Sequence, residues 1–176
     1  LVNNAGFGIA GHSASLDAAC VQQMIALNCA TLVALTQAFL PGMVARRSGA
    51  VINIASLAGF QPMPYMAVYG ASKAFVLSYS EALWAETREQ GVRCLAVCPG
   101  PVDTPFFEAT GADHLRKAVP ASLMMKADAV VAQSLRALDA GRTTLVPGVV
   151  NSLVSALPRL LPRRWLVSST AKAMRR

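Results

Sequence analysis

Two neighbouring stretches decide the fold of this chain, VINIAS (residues 51–56) and YGASK (residues 69–73). The first is short, apolar and rich in β-branched residues, which is typical of a strand covered on both faces of a parallel sheet. Ser56 follows this strand directly, at the end where open parallel sheets bind their ligands. The pattern therefore predicts an α/β protein with a serine at the ligand-binding edge of its sheet.

Tyr69 and Lys73 stand four residues apart on a predicted helix, so they share one face with Cβ atoms about 5–6 Å apart. A free phenol has a pKa near ~10, and a cation within reach lowers it by roughly 1–3 units. We therefore expect Lys73 to make Tyr69 a usable acid/base. The same pair also occurs on ordinary amphipathic helices, and its place after a buried strand favours the catalytic interpretation. Tyr65 has no lysine four residues further on.

The segment GFGIAG (residues 6–11) matches the glycine spacing of a dinucleotide-binding turn but lacks its context. That fingerprint requires a helix that begins at once and an acidic residue at the end of a strand about 20 residues later. Here the next helix is expected to begin only near Asp17. We therefore interpret this segment as a loop.

A long apolar helix is predicted over residues 17–43, because residues 18–45 contain no charged side chain. Such a helix must be buried in a core, a membrane or a partner. Polar residues interrupt the ~20-residue apolar span that a membrane requires. We expect one side to pack on the sheet and the other on a second subunit. Asn28, in mid-helix, could simply bond neighbouring carbonyl groups.

Beyond a second long helix at residues 68–90, the sequence predicts a buried strand from residue 92 and a turn at PGPVDT (residues 99–104). Residues 105–125 lack a clean period, and loops of this length are usually functional or mobile. We predict that they form a substrate lid. The remaining predicted elements are a helix over residues 128–139 and a strand over residues 144–146.

The formal net charge of +7 is concentrated at the carboxyl end, where no acid lies beyond Asp139. Six of the sixteen basic residues lie between positions 159 and 176: Arg159, Arg163, Arg164, Lys172, Arg175 and Arg176. The rest of the chain is nearly neutral, and no basic motif interleaved with aromatic residues is present, so nucleic-acid binding is not expected.

The tail, residues 148–176, is apolar and then basic, and its prolines and arginines break any membrane span. It could lie on an anionic membrane surface with Trp165 as an interfacial anchor. A terminal helix that packs on the body is the favoured alternative.

The four cysteines form no CxxC pair, and His12 and His114 have no metal-ligand spacing. Cys94 and Cys98 lie too far apart on one strand for a disulfide. We expect free thiols, no metal site and a reducing, cytoplasmic location. The chain begins without Met, inside an apolar strand and without a signal peptide, so we expect a fragment of a longer protein.

Five motifs recur in the same order in the short-chain dehydrogenase/reductase family, and residues 1–147 resemble its shorter branch. They are LVNNAG at residue 1, the asparagine of ALNCAT, NIAS, YGASK and PGPVDT. The resemblance implies the C-terminal part of a Rossmann-type, doubly wound parallel sheet in three α/β/α layers. Family members begin with a glycine-rich phosphate loop, whereas this chain opens at what would be the fourth strand. We expect an incomplete dinucleotide-binding domain over residues 1–147 and a separate tail, and the isolated chain could be inactive.

The resemblance also implies four catalytic residues, Asn28, Ser56, Tyr69 and Lys73. In the family the asparagine holds a water in a proton relay, and the serine hydrogen-bonds the substrate oxygen. The tyrosine transfers a proton, and the lysine lowers the tyrosine pKa and holds the nicotinamide ribose. Tyr69 and Lys73 therefore count as cofactor-binding residues as well.

Three further cofactor-binding residues follow from the same resemblance. Asn3 would lie beside the adenosine half of the cofactor, and Val102 and Thr104 would hold the nicotinamide carboxamide. The alternative is that all three are ordinary turn residues.

The expected function is that of an NAD(P)-dependent oxidoreductase that acts on a carbonyl or secondary alcohol, as a homodimer or homotetramer. The segment that distinguishes NAD from NADP is not in this chain, and the basic charge favours NADP. The lid composition allows a hydrophobic substrate. The alternatives are the epimerase or dehydratase branch of the family and a truncated, non-catalytic interaction or membrane-surface module.

Overall fold

The computed structural model describes residues 1–175 and, among these, the side chains of all except Asp113, Leu115, Ala118 and Arg159. Two of the six tail cations, Arg159 and Arg176, therefore lie outside the described side chains.

One parallel sheet of four strands organises the chain, in the spatial order β1-β2-β3-β4. The strands are β1 (Val2–Asn3), β2 (Gly49–Ile54), β3 (Val92–Val97) and β4 (Thr144–Leu145). In the centre of the sheet Ile52 pairs with Leu95. Because all strands run in the same direction, the segments that follow β2 and β3 leave the same edge of the sheet. The predicted parallel α/β sheet is confirmed.

The long helices agree with the sequence expectations, and the structure contains several short helices in addition. They are α1 (Ala18–Ile25), a π-helical segment (Ala26–Thr31), α2 (Leu32–Ala45), α3 (Ala67–Thr87), α4 (Phe106–Ala109), α5 (Asp113–Ala118), α6 (Ala127–Asp139), α7 (Val149–Ala156) and α8 (Arg163–Met174). Asp17 caps α1 by accepting hydrogen bonds from the backbone N–H groups of Ala19 and Cys20, as predicted. No α-helix directly follows residues 6–11, which agrees with their interpretation as a loop.

Helices cover both faces of the sheet. On one face, Leu32 of α2 and Val76 of α3 pack on Ala96 of β3. On the other, Val130 of α6 packs on Leu95. Burying a side chain of this size stabilises the fold by about 1.5–3 kcal/mol. The result is a three-layer α/β/α arrangement.

The uncharged helix formed by α1, the π-helical segment and α2 is only partly covered. Its inner side buries Leu32, Thr36 and Met43 against the body, while Leu35 and Phe39 on its outer side are exposed. Residues 18–45 are long and apolar enough to cross a membrane by length and composition alone. The core helix of a globular domain meets the same test, and the inner side of this helix packs on the body.

Candidate active site

The carboxyl ends of β2 and β3 and the first turns of α3 surround a cavity of about 770 Å³. Five of the sequence-predicted site residues line it: Ser56, Tyr69, Lys73, Val102 and Thr104. A volume in the range of about 300–1,000 Å³ is typical of small-molecule sites. The parallel topology is what brings together residues that lie up to 48 positions apart in the chain.

Ser56 lies two residues beyond the end of β2 and begins the 3-10 turn Leu57–Phe60. Its Oγ accepts a hydrogen bond of 3.1 Å from the backbone N–H of Ala58. This bond fixes the hydroxyl oxygen, and the hydroxyl proton can be donated to the Tyr69 oxygen or to a ligand in the cavity. Ser56 is therefore placed to donate a hydrogen bond into the cavity.

Tyr69 lies in the first turn of α3, with only 8% of its surface exposed. The ring of Phe106 packs beside it, with ring centroids 5.4 Å apart. Burial raises the pKa of Tyr69 to about 12, and a hydrogen bond with Ser56 offsets only part of the rise. The lowered pKa that we expected beside Lys73 is not found, because desolvation of the phenolate is the largest effect. The phenol is protonated at neutral pH and can act as a proton donor.

Lys73 is 6% exposed, and its Nζ donates a hydrogen bond of 2.8 Å to the carbonyl oxygen of Ile54. The ammonium lies 5.8 Å from the centroid of the Tyr69 ring. Burial lowers the pKa of Lys73 to about 8, and the nearby thiols of Cys29 and Cys98 partly offset this. The lysine is thus a buried cation beside the phenol, and its charge is lost not far above neutral pH.

Asn28 lies in the π-helical segment, outside the cavity wall, and is 2% exposed. Its Nδ2 donates to the carbonyl oxygen of Phe7 at 2.9 Å and to Oγ of Ser72 at 3.1 Å, and its Oδ1 accepts from the N–H of Phe7 at 3.1 Å. Ser72 in turn donates to the carbonyl oxygen of Tyr69. The side-chain amide is therefore occupied by protein partners, and the relay water expected at Asn28 stays a prediction. It links the loop at Phe7 to the turn of α3 that carries Tyr69.

Asn3 is also placed differently from expectation. Its Nδ2 donates to Oδ1 of Asn53 at 2.8 Å and to Oγ1 of Thr36 at 3.1 Å, in a buried network between β1, β2 and α2. Asn4, not Asn3, lines the cavity. Successive side chains of an extended chain point to opposite sides, so Asn3 points into the buried network and Asn4 points toward the cavity.

Val102 and Thr104 lie where the turn after β3 meets Met125. The N–H of Asp103 donates to the carbonyl oxygen of Met125, and the N–H of Met125 donates to the carbonyl oxygen of Pro101. The N–H of Val102 takes no part in this pairing. Oγ1 of Thr104 donates to the carbonyl of Val102 at 3.4 Å. Both predicted residues therefore lie in the cavity wall with backbone and hydroxyl donors near its surface.

The predicted lid segment, residues 105–125, is not a simple loop, since it contains α4 and α5. Phe106, Phe107, Val119 and Pro120 of this segment line the cavity. The segment therefore forms an apolar wall of the site.

Sequence reasoning missed three further residues of the site. Ser72 lies inside YGASK, three residues after Tyr69, and this helical spacing could have revealed it. A Cβ on Gly6 would lie 2.8 Å from Oδ1 of Asn28 and 3.6 Å from Nζ of Lys73, so only glycine fits there without movement of its neighbours. Met174, at the end of α8, lines the cavity and packs with Tyr69 in one apolar cluster, which no local pattern indicates.

Known proteins with similar sequences cover most of this chain. The 17-beta-hydroxysteroid dehydrogenase type 3 of Rattus norvegicus is 32% identical over 151 residues, which are 86% of this chain and 46% of that protein. The very-long-chain 3-oxoacyl-CoA reductase of Rattus norvegicus is 31% identical, over 85% of this chain and 45% of that protein. The chain thus spans about half the length of the curated relatives it matches.

A solved short-chain dehydrogenase from Sphingobium yanoikuyae, in complex with NADPH, superposes with a TM-score of 0.79 at 32% identity. The alignment covers 96% of this chain and 64% of that one. The family model for short chain dehydrogenase matches residues 1–115. With its parallel α/β sheet of Rossmann type, this chain belongs to the short-chain dehydrogenase family.

Proposed function

We propose that the protein containing this chain is an NAD(P)-dependent oxidoreductase that moves a hydride between a nicotinamide cofactor and a carbonyl or secondary alcohol. The observation that carries the proposal is the meeting of Ser56, Tyr69 and Lys73 in one cavity. A buried, protonated phenol lies there beside a hydroxyl donor and a buried ammonium.

The three side chains divide the work of carbonyl reduction. Hydride arrival builds negative charge on the substrate oxygen, and Ser56 donates a hydrogen bond to that oxygen. Tyr69 transfers its phenolic proton to the same oxygen, which completes the alcohol. The phenolate left on Tyr69 is stabilised by the ammonium of Lys73. Alcohol oxidation reverses these proton movements.

The hydride itself would come from the nicotinamide cofactor. The residues present fit such a group, because Gly6 keeps the space beside Lys73 open and Val102 offers a backbone donor at the cavity wall. Lys73, Val102 and Thr104 would hold the nicotinamide half, and Asn4 takes the place that we expected for Asn3. NADP is favoured over NAD, since the similar structure from Sphingobium yanoikuyae holds NADPH.

We further propose a hydrophobic carbonyl substrate. Phe106, Phe107 and Val119 of the predicted lid, together with Met63 and Met66, give the cavity an apolar wall. The relatives named above are a 17-beta-hydroxysteroid dehydrogenase and a very-long-chain 3-oxoacyl-CoA reductase, which supports a bulky apolar substrate class.

A homo-oligomer in the cytoplasm completes the proposal. The exposed apolar side chains Leu35 and Phe39 of α2 and Phe75 of α3 form a surface that a second copy would cover. The described cysteines are free thiols, which suits a reducing compartment. Phe39→Ser should shift the sedimentation coefficient toward that of a monomer, whereas an unchanged value would reject this interface.

The decisive test measures cofactor binding and turnover separately, in the gene product that carries this chain. NADPH and NADH are titrated by fluorescence, and reduction of an apolar ketone is followed by cofactor absorbance. Tyr69→Phe should abolish turnover and leave the Kd for NADPH nearly unchanged. Normal turnover in this variant would overturn the assignment of Tyr69.

The alternative is a non-catalytic interaction or membrane-surface module, favoured by the exposed apolar tail. Absence of cofactor binding in the wild-type gene product would select it.

A further inference from the structure

The tail carries a dense set of uncovered apolar side chains. Nine of the sixteen exposed large hydrophobic residues of the described structure lie between positions 149 and 167. They are Val149, Val150, Leu153, Val154, Leu157, Leu160, Leu161, Trp165 and Val167. Contiguous exposed apolar surface on a protein usually marks a site of interaction.

In α7 these side chains share one face. Val149 and Leu153 lie four residues apart, and Leu157 follows at the same interval in the 3-10 turn (Leu157–Arg159) that continues the helix. Val150 and Val154 flank them, so the five side chains form one stripe. Asn151 lies on the opposite side of the helix, is buried, and donates to the carbonyl oxygens of Leu123 and Pro147. The helix is therefore held to the body by its polar side and presents its apolar side outward, the reverse of an ordinary surface helix.

In α8 the outward side carries an aromatic residue and cations. Leu166 and Met174 are buried against the body, whereas Trp165 is 75% exposed. Arg164 and Lys172 are exposed as well, and Lys172, seven residues after Trp165, lies on the same side of the helix. Tryptophan beside lysine and arginine is typical of segments that lie in a membrane interface.

The charge of this region has one sign. From residue 140 to residue 176 there are basic residues and not a single aspartate or glutamate. A surface that is both apolar and purely cationic matches a partner with an apolar interior and an anionic surface. A second copy of the same cationic tail would bring like charges together, which disfavours self-association through this surface.

We propose that this tail surface, the outward side chains of residues 149–175, docks on an anionic lipid membrane. The stripe of α7 and the connecting Leu160 and Leu161 enter the interface, Trp165 anchors at headgroup depth, and the cations of α8 contact anionic headgroups. The proposal goes beyond hydride transfer and does not depend on it.

The test uses vesicles of phosphatidylcholine alone and of phosphatidylcholine mixed with phosphatidylglycerol, in co-sedimentation with the gene product that carries this chain. We expect binding to the anionic vesicles that weakens as salt is added, because surface charges are screened. The affinity of the variant Arg163→Gln/Arg164→Gln/Lys172→Gln for anionic vesicles should be lower by at least about tenfold.

A matched control removes three exposed cations from the body, in the variant Arg46→Gln/Lys126→Gln/Arg136→Gln. It has the same net charge as the tail variant and should bind like wild type. Equal losses in the two variants would show a general charge effect and overturn the proposal. Equal binding of wild type to neutral and anionic vesicles would also overturn it.

Tryptophan fluorescence reports directly how deeply the tail enters the membrane. The chain has two tryptophans, so Trp84→Phe leaves Trp165 as the only one in this chain. A blue shift on anionic vesicles and quenching by brominated lipid would support docking. An unchanged spectrum, or a sedimentation shift that shows pairing of two copies through the tail, would overturn it. Ketone reduction measured without vesicles keeps this result separate from the proposed catalysis.

Discussion

The Nζ of Lys73 donates a hydrogen bond of 2.8 Å to the carbonyl oxygen of Ile54, the last residue of β2. This bond ties the second turn of α3 to the strand end that precedes Ser56, so helix and strand hold the cavity in one geometry. It also keeps a positive charge beneath a buried phenol, at a cost in desolvation that lowers the pKa of Lys73 to about 8. Function and stability therefore make opposite demands at this residue.

We expect Lys73→Met to inactivate the enzyme and to stabilise the fold. A methionine fills much of the same volume without a buried charge, so the free energy of unfolding at pH 7 should rise by ~1–3 kcal/mol. Urea denaturation provides the measurement, with Lys126→Met at an exposed position as the control. A destabilised Lys73→Met variant would show that the bond to Ile54 outweighs the desolvation.

The difference in free energy of unfolding between Lys73→Met and the wild type should depend on pH in a defined direction. The pKa of Lys73 is about 8 in the folded state, below its ordinary value of 10.5 in an unfolded chain. Between these values the unfolded state binds more protons, so the free energy of unfolding of the wild type rises with pH over this window. The advantage of Lys73→Met should therefore shrink from pH 8 to pH 10. An advantage that stays constant over this range would contradict the shifted pKa.

Carbonyl reduction should decline as pH rises through about 8, the pKa of Lys73, because the ammonium that stabilises the Tyr69 phenolate is lost. The phenol keeps its proton over the same range, since its pKa is raised to about 12. A pH profile of kcat provides the measurement. In Lys73→Arg the guanidinium stays charged, so any residual activity should lose this decline. A decline that persists in Lys73→Arg would assign it to another group.

The two asparagines of the NNAG motif should behave differently. Asn3→Ala breaks the bonds to Asn53 and Thr36 and should lower the free energy of unfolding by ~1–3 kcal/mol. Asn4→Ala removes a cavity-lining side chain and should weaken NADPH binding with little change in stability. Denaturation and fluorescence titration on both variants provide the measurements. The reverse pattern would restore the original expectation for Asn3.

Asn28 should act as a positioning residue. Asn28→Ala removes the bonds to Phe7 and Ser72, so the turn of α3 that carries Tyr69 loses its support from the loop. We expect kcat to fall by about tenfold or more while KM changes little, because the cavity wall itself is intact. Asn28→Asp tests the amide, since a carboxylate cannot donate to Ser72. A loss of stability with unchanged kcat would mark a purely structural role.

Much of the site could be predicted from short-range patterns. The run before Ser56 reads as a buried strand because its residues are β-branched and apolar, and the spacing of Tyr69 and Lys73 fixes their common helical face. Asn28 stands out as a polar residue in mid-helix, whereas Asn3 follows only from the family resemblance, and neither observation indicates their partners. These partners, Phe7, Ser72, Asn53 and Thr36, lie 21 to 50 residues away, and sequence periodicity carries no information on such contacts.

The sequence by itself determined the parallel α/β class, the strand–serine edge, the Tyr69–Lys73 pair and the cationic tail, because each depends on residue type and local spacing. Only the tertiary structure decided that burial raises the pKa of Tyr69, that Asn4 replaces Asn3 at the cavity and that Met174 closes its wall. Desolvation and packing depend on which distant segments surround a side chain, and the folded sheet with its two helical layers is what fixes those neighbours.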